Sequence, residues 1–377
     1  MLPYGRQSIS DDDVAAVTAV LQTDWLTTGP AVTRFEDDLA ARTGGHTAIA
    51  VTSGTAALHV AYAAAGVGPG QDVVVAPLTF VATASTAALL GANVIFADVC
   101  EDTGNLDPDA AKAALTPNTT VVSGVDYAGH PIDADPLRAL THEAGALLLE
   151  DAAHSVGGRW HGHPVGDLAD LTTLSFFPTK NLTTAEGGAV VSPSAQIAAA
   201  ARAFRNHGLV RERDEQRFPD EGPWHQEVHA FGLNYRLPDV LAALGSSQLT
   251  RLDAFVARRA QIHARYDAAL ADVAEVRTPT RRDGADPAWH LYPLRVRDGR
   301  RRELFEHLRA SGVGVQVNYV PAYWHPVFAD LGYRRGMCPV AEEYYRQEIS
   351  LPLFPDLTDS DVDRVAGLVR TFFGYGG

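Results

Sequence analysis

The sequence predicts an α/β chain in which a large unit on a mainly parallel central sheet is followed by a smaller α+β unit. Three observations predict it. Between about Thr47 and Glu150, short apolar runs alternate with helical stretches, the rhythm of βα repeats. The runs are apolar at successive residues, as strands covered on both faces should be. From about Thr250 that rhythm changes to a long helical stretch, a strand and another helix, which divides the chain into a large domain over 1–249 and a small one over 250–377.

Ser10 and Asp13 make a capping-box-like pair before DDDVAAVTAVLQ, where Val14, Val17, Val20 and Leu21 recur at helical spacing. A second helical pattern carries Phe35 and Leu39 and stops at Gly44 and Gly45. The strands then read TAIAVTS, DVVVA, NVIFA, TVVSGV and ALLLE, and the helices between them TAALHVAYAAA, FVATASTAALL, DPDAAKAAL and DPLRALTHEA. LTTLSF and GGAVVS add further strands near residue 192. In the C-terminal part RRAQIHARYDAAL and RRELFEHLRASG are helices, WHLYPLRV is a strand, and RTPTRRDGADP is an exposed loop.

With 377 residues, 46% of them hydrophobic, the chain can bury a large core, which excludes disorder and a disulfide miniprotein. A net charge of -15 repels polyphosphate backbones, so nucleic acid is not an expected partner. No apolar run approaches the roughly 18–20 residues of a membrane span, and MLPYGRQSISDDD is not a secretory leader. The expectation is a soluble, cytoplasmic protein without a membrane partner. Cys100 and Cys338 stand in no metal or redox spacing and read as packing residues.

Of the 31 basic residues only Lys112 and Lys180 are lysine; the other 29 are arginine. A lysine kept in such a chain points to a need for an amine, because an amine can lose its proton and attack a carbonyl and a guanidinium cannot. Lys112 lies in DAAKAAL, where a solvated surface charge explains it. Lys180 lies in LSFFPTKNLTTAEGG, rich in hydroxyls and aromatics between two predicted strands.

Open parallel sheets bind ligands beyond the carboxyl ends of their strands. Thr52, Ser53, Gly54 and Thr55 follow one strand and open a helix, a place where amides and hydroxyls cradle a phosphate or simply cap the helix. Asp151 and His154 follow ALLL; alone, Asp151 reads as a solvated loop acid. A phosphate cup, a strand-end acid and a buried amine together meet the needs of pyridoxal phosphate. The pair His161 and His163 reads as chance proximity, and no metal is expected. Gly66, Gly68 and Gly70 do not spell a dinucleotide fingerprint. Asn118 and Asn181 stand in N-x-T, inert without an export signal.

SGTAAL, EDAAH, SFFPTKNLTTAEGG and GLNYRLPDVLAALGSSQL resemble, in order, signature segments of the DegT/DnrJ/EryC1/StrS aminotransferases, and the resemblance runs from LPYGRQSIS to SLPLFPDL. It implies the aspartate-aminotransferase type of fold (fold type I), pyridoxal 5'-phosphate, and a homodimer with active sites at the subunit boundary. By motif position it implies Lys180 as the Schiff-base lysine, Asp151 as partner of the pyridine nitrogen and Phe80 as the ring stacked on the cofactor. Gly54, Thr55 and Ser175 are implied phosphate ligands, with Asn234 reaching the phosphate from the neighbouring subunit. His290 and Tyr319 fall in segments the family places near substrate. His154 stands where glutamine is common and would offer an imidazole to the cofactor's ring hydroxyl.

The resemblance further implies transfer of an amino group from L-glutamate to a nucleotide-linked keto sugar. PLTFVATA, VDYAG and TTAEGGAVV look most like the branch that aminates a UDP-linked 4-keto-6-deoxy-N-acetylamino sugar on the way to pseudaminic acid. Amino sugars and cyclitols of antibiotic biosynthesis are the alternative, and a non-catalytic, cofactor-binding regulatory homologue is the reading from another class. Relatives that deoxygenate sugars carry histidine in place of the lysine, and Lys180 argues against that reaction.

Overall fold

The computed structural model describes residues 1–376. Helix α1 (Asp11–Leu21) starts on a complete capping box between Ser10 and Asp13. Its apolar stripe is not buried in the chain: Val14 and Leu21 are exposed, and the one buried residue is Asp13. The Asp13 carboxylate accepts from Ser247 and Gln248, each at 2.7 Å, and from Arg251. Helix α2 (Pro30–Arg42) buries Phe35 and Leu39 fully. Its N-cap, Gly29, has no side chain, so the cap comes from far along the chain: Asp239 accepts from Gly29 N at 2.8 Å and Ala31 N at 2.9 Å.

The βα repeats follow as β1 (Thr47–Val51), α3 (Gly54–Ala64), β2 (Asp72–Val75), α4 (Ala82–Leu89), β3 (Asn93–Phe96), α5 (Pro108–Ala114), β4 (Thr119–Val125), α6 (Ala134–Ala144) and β5 (Leu147–Asp151). A short hairpin, β6 (Arg159–Trp160) and β7 (His163–Pro164), precedes β8 (Leu171–Ser175) and β9 (Gly188–Ser192). These build one seven-stranded sheet in the order β1, β9, β8, β5, β4, β2, β3. β9 alone runs against its neighbours, antiparallel to both β1 and β8; the other pairings are parallel. The sheet is therefore mainly parallel, with helices on its faces.

Helix α7 (Ala195–Arg205) packs on β1 and β9. After it β10 (Leu209–Val210) and β11 (Glu227–Val228) close a long loop, and α8 (Asp239–Leu249) packs on α1 and α2. Helix α9 (Leu252–Leu270) opens the C-terminal part. There β12 (Val276–Arg277), β14 (Tyr292–Val296) and β15 (Glu348–Leu351) form a second sheet, while β13 (Ala285–Asp286) joins the β6–β7 hairpin. Helices α10 (Arg301–Ala310), α11 (Pro326–Ala329), α12 (Pro339–Gln347) and α13 (Asp359–Phe372) complete it.

One expectation is corrected here. RTPTRRDGADP is an exposed loop only in part: Arg281, Asp283, Gly284 and Asp286 are exposed, but Arg277 pairs with β14, Ala285 and Pro287 are buried, and Arg282 grips Asp102 through two bonds of 2.7 and 2.9 Å. Charge and Pro/Gly content flag a turn but do not show that Arg277, Arg281 and Arg282 find carboxylate partners.

The apolar side chains gather in two clusters. The larger surrounds the seven-stranded sheet, and the smaller is built from residues between Ile262 and Val369. Leu252, Leu291, Tyr323, Phe328, Cys338 and Tyr344 belong to the larger cluster although they lie after residue 250. The N-terminus joins the other side: Leu2 bridges Val313, and Leu353 N donates to Tyr4 O at 3.3 Å. Among the described residues no helix is long and apolar enough to cross a membrane.

Candidate active site

Strand polarity assembles the site. Because β1, β5 and β8 point the same way, Thr52, Asp151 and Ser175 come together at their carboxyl ends. At the end of β1, Ser53 caps α3 by accepting from Ala56 N at 3.1 Å, leaving the first amides of the helix without an intrahelical partner. Gly54 stands so near Ser175 that a Cβ there would meet Ser175 Cβ at 2.7 Å and Oγ at 2.8 Å. A glycine, two free amides and the Ser175 hydroxyl thus share one hollow.

Asp151 is not a solvated loop acid. It ends β5 and is 4% exposed. Its Oδ2 accepts from Thr83 Oγ1 at 2.6 Å and its Oδ1 from Ala153 N at 3.2 Å. Burial raises its carboxyl above the usual range, against the pull of those two donors and of Lys180.

Lys180 is half-buried in the turn between β8 and β9, where its N–H donates to Phe177 O at 2.9 Å. Burial pulls its amine down to about 8, with Asp151 opposing and Arg259 reinforcing the shift. Lys112 is exposed on α5.

The His154 and His290 rings lie 4.5 Å apart, both buried, and both are held well below the ordinary histidine range by burial and by Lys180. They are neutral rings beside an amine. His154 Nε2 meets the Tyr319 hydroxyl at 3.1 Å, while Nδ1 of each ring has no partner in the chain. His290 owes its place to Gly129, at φ 96°, where a Cβ would strike Ala288 O at 2.2 Å. Phe80, 59% exposed, presents its ring with Tyr319 edge-on at 6.3 Å.

The structure therefore brings together Lys180, Asp151, His154, His290, Tyr319 and Phe80, and places Gly54, Thr55 and Ser175 at the neighbouring hollow. Asn234 stands apart: its side chain is exposed, and its backbone pairs with Asn206 while the next residue, Tyr235, accepts from Thr52 N at 3.0 Å. Three further residues support the site. Thr83 holds Asp151. Asn181 Nδ2 donates to His154 O at 3.2 Å and Ala288 O at 2.7 Å. Arg259 bonds Thr179 O. Only Asn181 had a signal in the sequence, its place next to Lys180.

A model of the DegT/DnrJ/EryC1/StrS aminotransferase family matches residues 7–370. The chain belongs to that family. It is 38% identical to the spore coat polysaccharide biosynthesis protein SpsC of Bacillus subtilis over 98% of this chain and 96% of that protein. Among solved structures it is similar to Spr1654 of Streptococcus pneumoniae in its PMP form, with 27% identity, a TM-score of 0.93 and 99% of each chain covered; the PLP form of the same protein gives 0.92. It is also similar to Helicobacter pylori PseC, an aminotransferase involved in pseudaminic acid biosynthesis, at 28% identity and a TM-score of 0.92 over 99% of each chain.

Aminotransferases of this family use pyridoxal phosphate, and the donor set fits that group. Free helix amides and a hydroxyl suit a phosphate, a buried carboxylate suits a pyridinium nitrogen, and an amine of lowered pKa suits an aldehyde. An unpartnered, buried His154 Nδ1 suits a ring hydroxyl. The aspartate-aminotransferase type of fold stands with the same comparisons.

Proposed function

We propose that this aminotransferase acts on sugars, moving the amino group of L-glutamate to a nucleotide-linked keto sugar, and that its substrate is the 4-keto group of a UDP-linked 4-keto-6-deoxy-N-acetylamino sugar. The observation that carries the reading is the gathering of the Lys180 amine, the Asp151 carboxylate and two neutral imidazoles beyond the carboxyl ends of the strands.

Bound pyridoxal phosphate supplies a ring that accepts the electron pair left when an α-carbon loses its proton. The chain's residues do the rest. Lys180 would hold the cofactor through its amine and would serve as the base for the proton on the donor's α-carbon; an amine near pKa 8 is partly neutral at physiological pH and can do so. Asp151, fixed by Thr83 and Ala153 N, would hold the proton of the pyridine nitrogen. His154 would donate to the ring hydroxyl, and Phe80 would cover the ring. Gly54, Thr55 and Ser175 would hold the phosphate. His290 and Tyr319 would stand near the sugar, and on the sugar half Lys180 would give a proton to the carbon that receives nitrogen.

The active unit is a homodimer with shared sites, Asn234 reaching the partner's phosphate. Supporting this, the chain leaves large apolar side chains open on two segments: Val14, Leu21, Trp25 and Leu26 near α1, and Phe218, Trp224 and Phe231 in the loop before Asn234.

The likeness to PseC supports the pseudaminic acid branch on which the UDP-linked reading rests. The likeness to SpsC, at higher identity, favours a second reading, a keto sugar destined for a coat polysaccharide. UDP- and TDP-linked keto sugars incubated with glutamate and read by mass separate them: a mass change on a UDP-linked 4-keto-6-deoxy-N-acetylamino sugar supports the first, and conversion of TDP-linked sugars alone overturns it.

A further inference from the structure

Arg259 on α9 is 1% exposed, and its bonding is unusual for a buried cation. NH1 donates to His290 O at 3.3 Å and Leu353 O at 2.9 Å, NH2 to Thr179 O at 3.3 Å, and Nε has no partner. Among the described residues no carboxylate pairs with it. A buried guanidinium is ordinarily matched by an anion, because desolvating an unmatched charge is costly. Here three backbone carbonyls, from three separate segments, stand in for the anion.

We propose that Arg259 is a positioning residue for Lys180: it ties the peptide next to the lysine to the His290 and Leu353 segments, and it leaves an uncompensated positive charge within reach of the amine. This rests on Lys180 being the cofactor lysine. The tie is local, since Thr179 immediately precedes Lys180, and His290 is itself a neighbour of the amine. The charged and titratable groups facing Lys180 come from separate elements. Asp151 at the end of β5 attracts a proton to the amine; Arg259 on α9 repels it; His154 and His290 are neutral. Tyr4, from the N-terminal segment, faces Arg259 and carries no charge at neutral pH. Burial is the largest influence that lowers the amine, and among the charged groups around it Arg259 is the one that opposes the pull of Asp151.

The test measures the amine without the cofactor. In the full-length chain freed of cofactor, competitive acylation with trace acetic anhydride over a range of pH, read by mass spectrometry on lysine peptides, follows Lys180 and Lys112 separately. The wild-type Lys180 midpoint is expected near 8; a midpoint near the ordinary value of about 10.4 overturns the proposal. Arg259→Gln, which keeps an amide donor and removes the charge, is expected to raise the midpoint by about one pH unit, with reactivity at pH 7 falling about tenfold. Arg259→Lys, which keeps the charge, is expected to leave it low. Lys112 serves as the internal reference. An unshifted Lys180 in a folded Gln variant overturns the proposal. So does a Gln variant that fails to fold while the Lys variant folds with Lys180 already shifted, since Arg259 would then serve architecture alone. Borohydride reduction of the holoenzyme separates this from the reading beneath it: cofactor fixed on Lys112, or on neither lysine, refutes the cofactor assignment without touching the acylation result.

Discussion

Thr83 Oγ1 lies 2.6 Å from Asp151 Oδ2 and donates its hydroxyl proton to it. Thr79 Oγ1, 2.7 Å from Thr83 Oγ1, supplies the next donor, so a short chain of hydroxyls ends on the acid. Thr83→Val keeps the shape and removes the donor. A hydrogen bond to a charged group is worth about 1.5–3 kcal/mol, so the single-turnover rate with the amino donor is expected to fall by about tenfold or more while cofactor occupancy holds. Unchanged rates would show that Ala153 N alone suffices.

Removing the amine at position 180 is expected to be nearly fatal. The purified protein should be yellow, and borohydride should attach the cofactor irreversibly to Lys180, as peptide mapping would show. Lys180→Arg should fold, keep the charge and lose transamination, because a guanidinium does not give up its proton. A proton-transfer base contributes about 100- to 10,000-fold, and the variant loses covalent attachment as well.

Asp151→Asn should leave the cofactor attached to Lys180 and remove the charge facing the pyridine nitrogen. Stopped-flow half-reactions should slow far more than occupancy drops. Near-normal rates would place that duty on another acid.

Glu348 provides a pH prediction. It is fully buried; Asn318 N donates to its Oε2 at 2.7 Å, and it also bonds Ser350. Burial pushes its carboxyl up to about 8 from an ordinary 4.5. The folded chain therefore holds a proton that the unfolded chain releases above about 4.5, and stability contributed at low pH is lost as pH rises through 8. The slope is about 1.4 kcal/mol per pH unit inside that window. Glu348→Gln mimics the protonated acid, so it should match wild type near pH 4.5 and exceed it at pH 8 in denaturant titrations. A difference that stays constant with pH would contradict this.

Shared sites predict complementation. Lys180→Ala mixed with Asn234→Ala should form heterodimers with one site carrying both defects and one carrying neither, so activity should return on subunit exchange. Dilution should also release cofactor, since dimerisation and binding are linked. Because Tyr235 bonds Thr52 of its own chain, the opposite result is well defined: an impaired Asn234→Ala never rescued in verified heterodimers puts the amide in its own site.

The parts of the fold legible in the sequence were those written in local pattern. Phe35 and Leu39 are at helical spacing and are buried; TVVSGV and ALLLE are continuous apolar runs and are inner strands. Direction was not legible: GGAVVS is a short run of apolar and small residues like the parallel strands, and only its pairing with β1 and β8 makes β9 antiparallel. Helices α7, α12 and α13 carry weaker signals: α7 is mostly alanine, which marks no distinct face, and α12 and α13 interleave their apolar residues with charges. At the site, Lys180 stood out by scarcity and Asp151 by its place after a strand. Thr83 and Arg259 did not, since they meet their partners across 68 and 80 residues of chain. Val14 and Leu21 mark a helix correctly but say nothing of what covers them.

The bridge between Leu2 and Val313 bears on how the protein is made. A ribosome adds about 5–20 residues per second, so the opening residues wait roughly 15–60 s for the strand that receives them. Until then the βα layers can settle while Leu2 and Tyr4 trail free. The loop that carries Tyr319, held through Asn318 Nδ2 to the Tyr4 hydroxyl at 2.7 Å, is therefore among the last pieces to set. A bulky group fused ahead of Met1 would burden the end of maturation rather than its beginning.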